Sequence, residues 1–75
     1  MQVEAAYVNH SHGGDIFVAK TEEELYVKLA DFVKEWWDEL HVDESFEDFD
    51  SNKEAVEFYF ENHGSEWVDL STVTI

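Results

Sequence analysis

The sequence predicts a small α+β domain in which a three-stranded sheet packs against two helices, in the order ββααβ. Three observations favour this class. Residues 1–20 have strand-like patterns on either side of a glycine pair, two later segments begin with capping-box residues, and the last residues alternate in polarity. A chain of 75 residues is expected to form one domain, residues 1–75, with a limited core.

The N-terminal segment is predicted to form a β-hairpin. Residues 1–9 alternate, and the odd-numbered residues from Val3 to Tyr7 are expected to face the core. The sequence HSHGG at 10–14 is predicted as the turn, because glycine adopts positive φ at little cost. DIFVA at 15–19 has the β-branched and aromatic composition of the second strand.

The longest amphipathic segment is TEEELYVKLADFVKEWWDEL, and it is predicted as one continuous helix over 21–40. Thr21 and Glu24 form the capping box at its start. Apolar residues recur at three- and four-residue spacing, as they do on the buried side of a helix. The predicted stripe consists of Leu25, Leu29, Phe32, Val33, Trp36 and Leu40, with Tyr26 and Trp37 on its shoulders.

The acidic segment at 43–50 is predicted as a loop held in place by its two phenylalanines. Ser51 and Glu54 repeat the capping-box spacing and open a second helix that continues to about Asn62. Gly64 is predicted as the left-handed residue that terminates this helix.

Residues 65–75 are predicted as the third strand. Val68 and Leu70 lie on the opposite parity to Val73 and Ile75. A β-bulge or a late strand start would reconcile the two sets.

Charge is the strongest global property of the chain. Nineteen Asp and Glu residues face four lysines, which gives a net charge of −15, and all but two of the acids lie within residues 22–69. Such a chain repels phosphates, so direct nucleic-acid binding is not expected, whereas a basic protein partner is. The absence of cysteine suits a reducing cytoplasm, and no signal peptide or membrane span is expected.

Catalysis is not expected, because the chain has no cysteine and Ser11 lacks the glycine context of a nucleophile elbow. His10, His12 and Asp15 are candidate ligands for a divalent metal, although an ordinary turn explains the same residues. The twelve residues 43–54 have the length of a calcium-binding loop but place Asp48 where that loop requires glycine. No cofactor is expected.

The acids of the first helix and the following loop are the candidate partner-binding residues. Carboxylates at three- and four-residue spacing on a helix lie about 4–6 Å apart along its axis, which resembles a row of DNA phosphates. Like charges at this spacing destabilise a helix, so their presence favours a binding role, while a solvated face remains the alternative. The predicted set is Asp31, Glu35, Asp38, Glu39, Asp43, Glu44, Glu47, Asp48 and Asp50.

Consecutive aromatic residues cannot all face one core. Trp36 and Trp37 on the first helix, and the run from Phe58 to Phe60 on the second, are therefore candidates either for partner contacts or for packing on two sides. Core packing is favoured for most of them. Self-association through Trp37 or Phe58 would give a homodimer, and a monomer is the alternative.

In length and composition the chain resembles small acidic phage-encoded anti-defence proteins, which include anti-CRISPR proteins and DNA mimics that block restriction enzymes. Locally the resemblance rests on NHSHGGDIFVAKTEEEL and FVKEWWDEL. It implies an inhibitor in the cytoplasm of a bacterial host that binds a CRISPR effector where target DNA enters. It assigns no functional residue, because these proteins share no motif. An inhibitor of another DNA-binding protein, such as a restriction enzyme, and a small metal-binding or regulatory protein using the His10 turn are the alternatives.

Overall fold

A computed structural model describes residues 1–10 and 13–74 and has the element order ββααβ, which confirms the predicted α+β class. The strands are β1 (Gln2–His10), β2 (Gly13–Ala19) and β3 (Trp67–Thr74). The helices are α1 (Glu22–Trp36) and α2 (Asn52–Asn62). Two short 3-10 turns, Trp37–Leu40 and Phe46–Asp48, lie between the helices.

The three strands form one antiparallel sheet in the order β2-β1-β3. The hairpin ladder runs to the pair His10 and Gly13, so β2 begins two residues earlier than predicted and the glycines belong to the strand. The β1–β3 ladder runs from Gln2 opposite Thr74 to Asn9 opposite Trp67 without a shift in register. The ladder therefore contains neither a bulge nor a late strand start, since Val68 and Leu70 pair with Val8 and Ala6 in the same regular strand.

The side of β1 that faces the core is the opposite of the predicted one. Ala6 and Val8 are buried under the helices, whereas Tyr7 points to the other side of the sheet and is exposed. The alternation could not decide between the sides, because β1 carries apolar residues on both parities. The odd-numbered residues instead form an uncovered sheet face.

Both helices pack on the even-numbered side of β1 and enclose the core. Leu29, Val33, Val8, Val56 and Tyr59 are its largest fully buried side chains. The predicted apolar stripe is confirmed. Leu25 is also buried, and Phe32, Trp36 and Leu40 pack against this core. The fold is therefore a two-layer domain with one covered and one open sheet face.

The first helix begins as predicted and ends earlier. Thr21 Oγ1 accepts a hydrogen bond of 3.2 Å from the backbone N–H of Glu24. The α-helix stops at Trp36, a 3-10 turn follows, and His41 adopts the left-handed conformation with φ of 53°. The prediction of one continuous helix to Leu40 is therefore wrong.

The change of winding reverses the predicted roles of the two tryptophans. A 3-10 turn advances about 120° per residue against about 100° in an α-helix, which alters where the side chains after Trp36 point. Trp37 is buried and donates a hydrogen bond of 2.9 Å from Nε1 to the carbonyl oxygen of Glu44. Trp36 remains half-buried.

The loop at 43–50 is held by its two phenylalanines, as predicted. The rings of Phe46 and Phe49 lie 5.8 and 5.7 Å from the Trp37 ring. An unpredicted capping box also orders this loop, in which Asp48 Oδ2 accepts a hydrogen bond of 2.8 Å from the N–H of Ser45.

The second helix begins at the predicted cap, where Ser51 Oγ accepts a hydrogen bond of 3.2 Å from the N–H of Glu54. It ends at Asn62, but not through a left-handed glycine. Positive φ occurs within the described residues at His41 and Gly13, and not at Gly64. The helix end is instead satisfied by His63, which donates from its N–H to the carbonyl oxygen of Tyr59.

Candidate functional site

The nine predicted partner-binding carboxylates all lie at the surface. Asp31 and Glu35 are exposed on α1, Asp38 and Glu39 on the first 3-10 turn, and the other five on the loop at 43–50. We call this set, Asp31, Glu35, Asp38, Glu39, Asp43, Glu44, Glu47, Asp48 and Asp50, the acidic face. Its nine residues lie within one segment of twenty residues, which runs from α1 through both 3-10 turns to the start of α2.

The lysines that lie beside the acidic face in the sequence contact other groups. Lys28 Nζ donates a hydrogen bond of 2.6 Å to the carbonyl oxygen of Val18, and Lys34 Nζ lies 5.7 Å from the centre of the Phe46 ring. Among residues 1–10 and 13–74, one ion pair joins a lysine to a carboxylate: Lys53 Nζ lies 3.5 Å from Glu22 Oε1. In the described part of the chain, no carboxylate of the acidic face therefore forms an ion pair with a lysine.

Two members of the acidic face have a partner within the protein. Asp48 caps the second 3-10 turn through the N–H of Ser45. Glu39 Oε1 lies 3.3 Å from Nε2 of His63, at the end of α2. Across the described residues, the side chains of the other seven make no hydrogen bond or ion pair, which leaves their oxygens available to cationic groups.

The acidic face is not a straight row. Asp31 and Glu35 lie one turn apart on α1, as the spacing predicted. Beyond Trp36 the 3-10 winding changes the direction of successive side chains, and Glu39 turns towards α2. The charges therefore follow a bent path from α1 onto the loop.

A groove lies beside the start of this path. Asp31 and Glu35 line it together with Phe17, Lys28 and Phe32, and its volume is about 420 Å³. It is open to solvent and carries both charge signs. The groove therefore offers a mixed surface at the edge of the acidic face, between α1 and β2.

The structure places two of the three predicted metal ligands of the hairpin, His10 and Asp15, next to each other. His10 Nε2 lies 2.9 Å from Asp15 Oδ2, and the His10 ring also packs at 5.5 Å from Phe32. His12 lies outside the described residues. Among the described residues, three side chains of the types that bind metals come together at a different place, formed by Glu39, His63 and Glu66.

This second cluster was not predicted. Glu66 is only 5% exposed, and its Oε1 accepts a hydrogen bond of 2.7 Å from the Tyr59 hydroxyl. His63 Nε2 lies 3.6 Å from Glu66 Oε2 and 3.3 Å from Glu39 Oε1. Sequence could not reveal the cluster, because Glu39 and His63 are 24 residues apart and Glu66 precedes a strand.

The tautomer of His63 decides what this cluster does. Its Nδ1 accepts a hydrogen bond of 3.3 Å from the N–H of Ser65, so the neutral ring carries its proton on Nε2. A metal at Nε2 would move that proton to Nδ1, where it would face another donor. The geometry favours a hydrogen-bond network that joins the end of α2 to Glu39 over a metal centre.

The same network predicts a pH dependence of stability. Burial, and next the hydrogen bond to Glu66, raise the pKa of Tyr59 above its usual value of about 10. The folded state therefore holds the phenolic proton more tightly than the unfolded state. The contribution of Tyr59 to the free energy of unfolding is therefore complete below about pH 10 and is lost as the pH rises above that value.

We expect the free energy of unfolding to fall above about pH 10, by up to ~1.4 kcal/mol per pH unit for this group. Urea denaturation across the alkaline range measures this slope. Tyr59→Phe should flatten the slope, because phenylalanine has no proton to release. Parallel slopes for the two proteins would contradict the assignment.

The comparisons with protein-family models, curated proteins and solved structures found no match to this chain. In the part of the chain that the structure describes, every helix is too short or too polar to cross a membrane.

Proposed function

We propose that this protein inhibits a bacterial defence complex by mimicking DNA, and that its acidic face occupies the basic DNA-binding groove of a CRISPR effector. The observation that carries this proposal is the exposure of nine carboxylates along residues 31–50, with no lysine paired to any of them in the described residues. The expected host compartment is the bacterial cytoplasm.

The proposed mechanism is electrostatic. A net charge of −15 attracts a positively charged groove over long range and accelerates encounter. On contact, the seven carboxylates without internal partners would accept hydrogen bonds from arginine and lysine side chains. Arginine–carboxylate pairs are often bidentate and resemble arginine–phosphate pairs, so a groove built for DNA is suited to this surface.

Rigidity supports the proposed role. The loop that carries five of the nine acids is fixed by Phe46 and Phe49 against Trp37 and by the capping box of Asp48. Fixed charges lose less conformational entropy on binding than charges on a mobile loop. The aromatic cluster beneath the loop therefore acts as a support, which favours carboxylates over exposed aromatics as the direct contacts.

The proposal is tested by measuring DNA cleavage by a panel of purified CRISPR effectors, with restriction enzymes in the same panel, in the presence of this protein. Inhibition of at least one effector is expected, and it should weaken as salt increases, because salt screens exposed charges. Inhibition confined to a restriction enzyme would assign the acidic face to that class of DNA-binding protein instead. Absence of inhibition throughout the panel would contradict the proposal.

A further inference from the structure

The face of the sheet opposite the helices is uncovered and apolar. Residues opposite one another in the ladders share a face, so Tyr7 lies beside Ile16, Ala5 beside Val18, and Val3 beside Val73. Exposure is 71% at Ile16, 46% at Val18, 46% at Trp67, 43% at Val73 and 40% at Tyr7. We call this set, Val3, Ala5, Tyr7, Ile16, Val18, Trp67 and Val73, the open sheet face.

Two aromatic rings lie side by side on this surface. The Tyr7 and Trp67 rings lie 5.8 Å apart. The Tyr7 ring also covers Gly14 on the neighbouring strand, since a Cβ at Gly14 would collide with the Tyr7 hydroxyl. An antiparallel sheet that faces water normally carries polar residues on that side. Here that side carries the polar residues Asn9, Asp69 and Ser71, but its other large side chains are apolar.

Charge is nearly absent from this side of the protein. The ladders place eleven residues there, from β1, β2 and β3, and Asp69 is the one charged residue among them. The chain as a whole carries −15. The open sheet face has no row of carboxylates that a basic groove could bind. The acidic face and the open sheet face therefore suit different partners.

We propose that the open sheet face binds the same face of a second copy, forming a two-fold symmetric dimer. An identical face presents the same apolar side chains and a single charge, and sheets can pack face to face about 10 Å apart. Two copies that each carry −15 repel one another, and this face is where the repulsion between them is smallest. The helices, and with them both acidic faces, lie on the outer sides of the dimer.

The area predicts the strength of this dimer. Strands of about eight residues at ~3.3 Å per residue, with three strands ~4.8 Å apart, give roughly 400 Å² per copy. A standard interface buries about 800 Å² per partner. The dimer is therefore weak, and it dissociates on dilution.

Salt should act on this dimer in the opposite direction to its effect on the acidic face. Added salt screens the repulsion between the two copies and leaves apolar contacts intact, so it strengthens the dimer. Binding of the acidic face to a basic partner is weakened by the same salt. The two interactions can therefore be separated in solution.

Sedimentation equilibrium from micromolar to millimolar concentration tests the proposal on the full chain. Val18→Lys places a charge on the open sheet face, and Val27→Lys is a matched control, because Val27 lies on α1 with a similar exposure of 47%. β2 is an edge strand, where lysine is well tolerated, and circular dichroism verifies that both variants fold.

The native chain should change from monomer to dimer mass with concentration, and more readily in high salt. Because an ammonium buried without a partner is costly, Val18→Lys should raise the dissociation constant ~10-fold or more, while Val27→Lys should leave it unchanged. A native chain that stays monomeric at the highest concentration would overturn the proposal. So would a folded Val18→Lys variant that dimerises like the native chain.

Discussion

Replacing Trp37 by alanine is expected to lower the free energy of unfolding by about 3–5 kcal/mol, the range for removing a buried large aromatic side chain. The Trp37 ring contacts Phe46, Phe49 and Phe58 at centroid distances of 5.7–5.8 Å. The substitution would leave a cavity among these rings. It would also leave the carbonyl oxygen of Glu44 without the Nε1 donor.

Trp36→Ala is the matched control, since it removes the same side chain from the neighbouring position. Trp36 is half-buried, so a smaller loss of about 1–2 kcal/mol is expected. Urea denaturation followed by far-ultraviolet circular dichroism measures both variants without relying on tryptophan fluorescence. Equal losses, or a larger loss for Trp36→Ala, would contradict the packing described for the 3-10 turn.

The second large effect concerns binding. The double variant Glu35→Lys and Glu47→Lys is expected to weaken binding to the target effector by ~10- to 100-fold, because close charge pairs across an interface couple strongly and reversal makes them repulsive. Neither side chain has a partner within the described residues, so folding should be little affected. Titration of the effector with labelled protein measures the dissociation constant.

A charge-matched control separates position from net charge. Glu23→Lys and Asp69→Lys also change the net charge by four, from −15 to −11, since each reversal adds two. Glu23 lies in the first turn of α1, about 20 Å along the helix from Trp36, and Asp69 lies on the open side of the sheet. This control should retain most of the binding. Equal weakening by both double variants would show that net charge, and not the acidic face, determines binding.

Local signals in the sequence predicted the fold well. The caps at Thr21 and Ser51 are contacts between residues three apart, so their spacing alone located both helix starts. The side of β1 that faces the core depends on tertiary packing. Ala5 and Ala6 are identical neighbours, and nothing local determines which of them lies beneath a helix.

Features that depend on distant residues could not be predicted. The 3-10 turn after Trp36 accompanies the burial of Trp37 against Phe46, Phe49 and Phe58, which are nine to twenty-one residues further along. The cluster of His63 and Glu66 with Glu39 likewise joins separate elements. The nine carboxylates were predicted as binding residues from their spacing on the first helix and from the acidic loop after it, but the bend in their path follows from the 3-10 turn.

If the acidic face occupies the DNA-binding groove of the effector, as proposed, this protein and DNA cannot bind there at the same time. The most direct test is an equilibrium competition in which increasing amounts of unlabelled target DNA are added to labelled protein bound to a susceptible effector. Complete displacement is expected, with an apparent dissociation constant for the protein that rises linearly with the concentration of free DNA. A ternary complex of effector, DNA and this protein, with both bound at full occupancy, would contradict the proposal.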